Sequence, residues 1–125
     1  GTAVIAWDGS FEAANAVRSA LGMLRLASDV RVIQVREAGK DQAFPGTALL
    51  EYLSRQAIHA ELTVERSLMT DGEAVASVLL AYSRAVGAAY QVMGGYNHSR
   101  IGEYVFGGVT RELLASSPVA LLISR

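Results

Sequence analysis

The chain is 125 residues long, 51% hydrophobic and 18% charged, which fits one globular domain burying roughly two-thirds of its unfolded surface and excludes a disordered segment. It contains no cysteine, so a disulfide scaffold, a thiolate zinc site and a cysteine nucleophile are all excluded. Eleven basic against twelve acidic side chains leave a net charge of −1, which argues against a nucleic-acid binder held by bulk charge. Thr2–Trp7 (TAVIAW) is a near-continuous apolar run, the pattern of a strand buried on both faces. Asp8-Gly9-Ser10 breaks it, and Ser10 can cap a helix over Phe11–Leu26 with Ala14, Val17, Leu21 and Leu24 on its inward face. Val30–Val35 (VRVIQV) reads as a second strand, Arg36–Gly46 as a polar loop, and Thr47–Ala57 as a weaker helix with Leu49, Leu50 and Leu53 inward.

Glu61–Arg66 (ELTVER) alternates strictly, with Leu62 and Val64 on one side, and is therefore placed at a sheet edge. Thr70-Asp71-Gly72-Glu73 has capping-box spacing before a helix carrying Val75, Val78, Leu79, Tyr82 and Val86, which Gly87 ends. Ala88–Met93 (AAYQVM) is the fourth strand. A glycine-rich stretch leads to a helix from Gly108 to Ser117, and Val119–Ser124 (VALLIS) is the fifth strand. The order βαβαβαβαβ predicts a single α/β domain over residues 1–125, a parallel sheet with helices on both faces.

The longest apolar runs, Val78–Tyr82 and Val119–Ile123, are far short of the ~20 residues of a membrane helix. No basic segment followed by an apolar stretch opens the chain, which predicts a cytoplasmic protein. Gly1 is not methionine and Val4 already reads as strand interior, so the natural chain is either longer or trimmed.

Ten of the eleven basic residues are arginine, and the lone lysine, Lys40, lies in no GxxxxGK string, so there is no Walker A loop. Five of the twelve glycines fall between Gly94 and Gly108. In a parallel sheet, ligands collect at the carboxyl ends of the strands where strand order reverses. Two such ends are chemically distinctive: Trp7-Asp8-Gly9-Ser10 and Met93-Gly94-Gly95-Tyr96-Asn97. Gly94 and Gly95 permit close backbone approach, and Gly107-Gly108-Val109-Thr110 opens a helix whose free amides suit a phosphate. The same glycines also serve as plain turn residues, and Asp8 as a capping carboxylate. His98 reads either as a phosphate contact or general base, or as a loop histidine bonded to backbone. Arg100 and Arg111 either neutralise phosphate or pair with Glu103 and Glu112. Trp7 is either an adenine wall or core. His59 reads as a surface residue, and two histidines without clustered carboxylates make no metal site.

The segments AWDGSFEAANAVRSAL and VMGGYNHSRIGEYVFGGVTRELLASSPVALLISR resemble the universal stress protein family, with the same order of elements along nearly the full chain. The resemblance implies a Rossmann-like, five-stranded parallel sheet of the adenine nucleotide alpha hydrolase type, in the order 3-2-1-4-5. That order sets the Asp8 loop across from the Gly94 loop. One branch of the family binds ATP through G-x2-G-x9-G-[S/T]. Here Gly94 and Gly107 keep the first and third glycines, while Asn97 and Gly108 replace the second glycine and the final hydroxyl residue. Asparagine tolerates the left-handed region better than most residues. The resemblance places Asp8 and the main chain near Val35 at the adenosine end, Tyr96, Asn97, Gly107, Gly108, Val109 and Thr110 around the phosphates, and Met93 and Gly94 among the nucleotide-binding residues.

The implied function is binding of ATP, with or without Mg2+, or a related adenine nucleotide, in a sensing or regulatory role in stress response. No P-loop lysine or positioned base is evident, so hydrolysis is slow or absent. The alternative is a family member that has lost nucleotide binding and acts as a dimeric interaction module. A third reading is an unrelated small enzyme using Asp8 and His98. The apolar fifth strand at a sheet edge, together with the resemblance, implies a homodimer through that strand, or a second similar domain in its place. Nucleic acid and membrane are not among the expected partners.

Overall fold

The computed structural model describes residues 1–37, 45–67, 72–94 and 119–124. Its elements are β1 (Thr2–Trp7), α1 (Phe11–Leu26), β2 (Asp29–Glu37), α2 (Gly46–Arg55), β3 (Ala60–Ser67), α3 (Gly72–Ala85), β4 (Ala88–Gly94) and β5 (Ala120–Ser124). The strands form one parallel sheet in the order β3-β2-β1-β4-β5, as expected. β1 is central, and Val4 pairs with Arg31 on one side and Gln91 on the other. This explains the unbroken apolar run: Ala3, Val4 and Ile5 are all fully buried.

Alternation along β1 sorts the core into two layers. Ala3, Ile5 and Trp7 pack with Val30 and Val32 and with α1 and α2. Val4 packs with Ile33, Val35 and Met93, and with Val75 and Leu79 of α3. Helices joining β1 to β2 and β2 to β3 thus share one face, while the crossover from β3 to β4 covers the other, as right-handed connections require.

Several boundaries differ from the sequence reading. β2 extends to Glu37 because it stays paired with β3 as far as Ser67. α2 starts at Gly46, behind Pro45 as N-cap, and stops at Arg55. Beyond it, Ala57 takes a left-handed φ of 61°. Ala57 then donates to the Ser54 carbonyl at 3.0 Å and Ile58 to the Leu53 carbonyl at 2.8 Å, a Schellman closure that brings Ile58 into the core beside Leu53. The buried face of α1 is Ala13, Ala16, Val17, Ala20 and Leu24, with Ala14 and Leu21 only half-buried on its flank. Short alanines let that face settle onto the sheet, whereas apolarity alone favours Leu21. On the edge strand β3, Leu62 is half-buried but Val64 is 45% exposed. Thr70 and Asp71 of the capping box, and the helix expected over 108–117, lie outside the described residues.

Candidate functional site

The site expected at the carboxyl ends of β1 and β4 starts from three backbone positions in register. Ala6 of β1 pairs with Ile33 of β2 and with Met93 of β4. Val35, Ala6 and Met93 share the sheet face covered by α3. Val35 is 9% exposed, Met93 4%, and Ala6 is half-buried. Ala6 was not singled out in the sequence. The signal was there: near the end of β1 a lone methyl group stands between strands that carry larger side chains.

Asp8 follows β1 and is exposed. Its Oδ1 accepts from the Ser10 backbone N–H at 2.9 Å, with Gly9 at a φ of 76° between them. Ser10 Oγ in turn accepts from the Ala13 N–H at 3.1 Å, the side-chain cap of α1. The carboxylate therefore carries the turn from β1 into α1, the capping role weighed for it in the sequence.

Gly94 ends β4 opposite Ser124 of β5. A Cβ at Gly94 would lie 2.6 Å from the Glu12 carbonyl carbon and against the Ala13 backbone nitrogen. The close approach that glycine permits here is to the first turn of α1. Trp7 is 6% exposed and packs in the layer beneath α1 and α2. It faces away from Val35 and Met93, so the core reading holds and the adenine-wall reading does not. His59 is exposed as expected. Tyr96, Asn97, Gly107, Gly108, Val109 and Thr110, with His98, Arg100 and Arg111, lie outside the described residues.

Sequence reasoning also missed Gln34, a buried amide inside β2. Its Oε1 accepts from the Gly46 N–H at 3.0 Å, so β2 satisfies the first amide of α2, where Pro45 offers no side-chain cap. A second buried polar link joins α3 to β4: Ser83 Oγ donates to Gln91 Oε1 at 2.8 Å, and Gln91 Nε2 contacts Met93 Sδ at 3.6 Å. Gln91 thereby ties the strand leading into the candidate site to the helix beneath it.

Among the described residues, the groups with shifted pKa lie away from this end of the sheet. Arg31 is held above its ordinary value by its hydrogen bond to Asp29 at 2.8 Å, with Glu61 at 3.4 Å adding to the effect. Burial pushes the Tyr90 hydroxyl up, and that hydroxyl has no hydrogen-bond partner among the described residues. Among the described residues no group of three His, Cys, Asp or Glu gathers as a metal site, and no helix is long and apolar enough to cross a membrane.

No protein-family model matches the sequence, and no curated protein matches it either. Solved structures do. A universal stress protein from Archaeoglobus fulgidus superposes with a TM-score of 0.70 at 17% identity, over 99% of this chain and 98% of that one. A universal stress protein in complex with cAMP gives 0.69 at 18% identity, over 99% and 96%. A universal stress protein from Archaeoglobus fulgidus in complex with dAMP gives 0.65 at 16% identity, over 99% and 97%. The chain therefore has the universal stress protein fold, from its first strand to its last.

Proposed function

We propose that the chain is a universal stress protein domain that binds an adenine nucleotide at the carboxyl ends of β1 and β4, as a cytoplasmic sensing or regulatory module. The observation that carries this reading is the apolar trio of Ala6, Val35 and Met93 on one sheet face, with Ala6 and Met93 in register. Asp8 leaves β1 beside it, and the glycine-rich sequence leaves β4. This apolar surface suits a flat base. The amides of Gly94, Tyr96, Asn97, Gly107, Gly108, Val109 and Thr110 are the groups to hold phosphates, with Mg2+ entering alongside them when the ligand is ATP. The folds that carry cAMP and dAMP support the adenine part of the reading.

The test is direct. The purified chain is denatured and its supernatant assayed for adenine nucleotide. Its melting temperature is then followed with cAMP, dAMP and Mg-ATP. Ligand at 100 times its dissociation constant adds about 2.7 kcal/mol, a rise of about 10 °C for a domain of this size. No co-released nucleotide and no shift with any of the three would overturn the reading.

A second reading is an interaction module without nucleotide, dimeric through β5. Two observations favour it: the Asp8 carboxylate is engaged by Ser10, and the space beside Gly94 is taken by α1. The same assay returning no ligand, with sedimentation at twice the 13.3 kDa chain mass, supports this alternative. A monomer with no ligand sinks both.

A further inference from the structure

On the opposite face of the sheet from Val35 and Met93, α1 and α2 border a cavity of about 380 Å³ over Trp7. Its existence follows from residue size. Ala14 of α1 and Ala48 of α2 line it and contribute only methyl groups where longer side chains would close the gap. Its walls are apolar: Val17 and Leu49 are buried core residues, and the Tyr52 ring is half-buried beside them. Among the described residues a single charged one, Arg18, completes the lining. The guanidinium is exposed and donates to Asn15 Oδ1 at 3.0 Å. It makes no ion pair among the described residues.

From these features we infer that the groove between α1 and α2 is a binding site for a small amphipathic carboxylate, separate from the proposed nucleotide site. The cavity has room for about a dozen non-hydrogen atoms at the ~30 Å³ each water fills in the liquid. Its walls offer hydrogen bonds to almost nothing, so a sugar or a polyphosphate would be desolvated there without compensation. An alkyl or aryl tail loses nothing on entering. The Arg18 guanidinium presents a planar fork that matches a carboxylate, and the Asn15 amide steadies it without neutralising it. An apolar body with one negative head satisfies both halves of the site.

The chain carries a single tryptophan, and it is the one lining this cavity, so its emission reads occupancy directly. Octanoate is optically silent and of suitable size, and 1-octanol is its neutral counterpart. Titrating octanoate into the full chain is expected to give a saturable change in Trp7 emission. Arg18→Gln weakens octanoate about tenfold and leaves octanol unchanged. Ala48→Phe, at a half-buried position on α2, fills the cavity and abolishes both responses. Neither substitution changes the melting response to cAMP, since that ligand is expected on the other face. The inference is overturned by an absence of saturable change with octanoate, by indifference of octanoate binding to Arg18→Gln, or by persistence of binding in Ala48→Phe. A cAMP response altered by Ala48→Phe would overturn the separation of the two sites.

Discussion

Gly94 lies so close to the start of α1 that a side chain at this position would fall on the backbone nitrogen of Ala13. The end of β4 and the N-terminus of α1 are therefore locked together without an intervening side chain. This contact fixes where the β1 turn and the β4 turn sit relative to one another, which any ligand bridging the two requires.

Gly94→Ala should cost about 1–3 kcal/mol, because its Cβ meets backbone on α1, which yields only by shifting the helix. Gly22, exposed in the middle of α1, has nothing within 4 Å of a built Cβ. Gly22→Ala should instead stabilise by about 0.5–1 kcal/mol through the unfolded chain. Urea midpoints at constant slope measure both, and changes of the same sign would refute the packing account.

Gln34→Leu keeps the side chain's bulk but strips the acceptor from the buried Gly46 amide. A loss of about 1–3 kcal/mol is expected. Hydrogen exchange at Gly46 should accelerate more than at Leu53, because the fault lies at the first turn of α2. Uniform acceleration along the helix would count against this.

Ser83 and Gln91 should behave as a coupled pair. Ser83→Ala leaves the buried Gln91 oxygen unsatisfied and should cost about 1–2 kcal/mol, whereas Ser83→Ala with Gln91→Leu should recover much of that loss. A double-mutant cycle reads the coupling directly, and additive effects would mean the bond contributes nothing of its own.

Tyr90 governs the alkaline limb of stability. Burial raises its folded pKa above the unfolded value of about 10. The stability linked to its neutral form is therefore fully present below about pH 10 and is lost as pH rises through the folded value. Tyr90→Phe removes this loss and also a hydroxyl with no partner among the described residues, so it should be neutral or mildly stabilising at pH 7 and flatten the melting-temperature profile above pH 10. A destabilised Tyr90→Phe at neutral pH would show that the hydroxyl has a partner.

Much of the fold was legible because burial leaves periodic marks. TAVIAW has no polar face because β1 has a strand on each side and helices above and below. ELTVER alternates because β3 has one neighbour. Ser10 announced α1 through its cap. The features that escaped depend on residues meeting across the chain. Gln34 looks like a polar interruption of VRVIQV until Gly46 stands beside it. Gly94 looks like a turn or ligand glycine until α1 is packed on it. The inward face of α1 was displaced because alanine carries little hydrophobic weight yet sits deepest where helix and sheet touch. For the candidate site, Asp8, Val35 and Met93 were found at the strand ends where topology put them. Ala6 was overlooked because a lone methyl group carries no chemical signal of its own.

The central place of β1 also bears on how the chain folds. β1, β2 and β3 meet through successive crossovers and form from local stretches of sequence. β4 returns to Val4 and Ile5 only after all of that chain has been laid down. Closure entropy and topology make this docking the expected slow step. Until it occurs, one side of a near-continuously apolar strand keeps its backbone amides and carbonyls unpaired, and a second molecule can occupy them. Newly made or refolding chains should aggregate through β1, and a segment complementary to that edge, such as a β4 peptide added in trans, should suppress it.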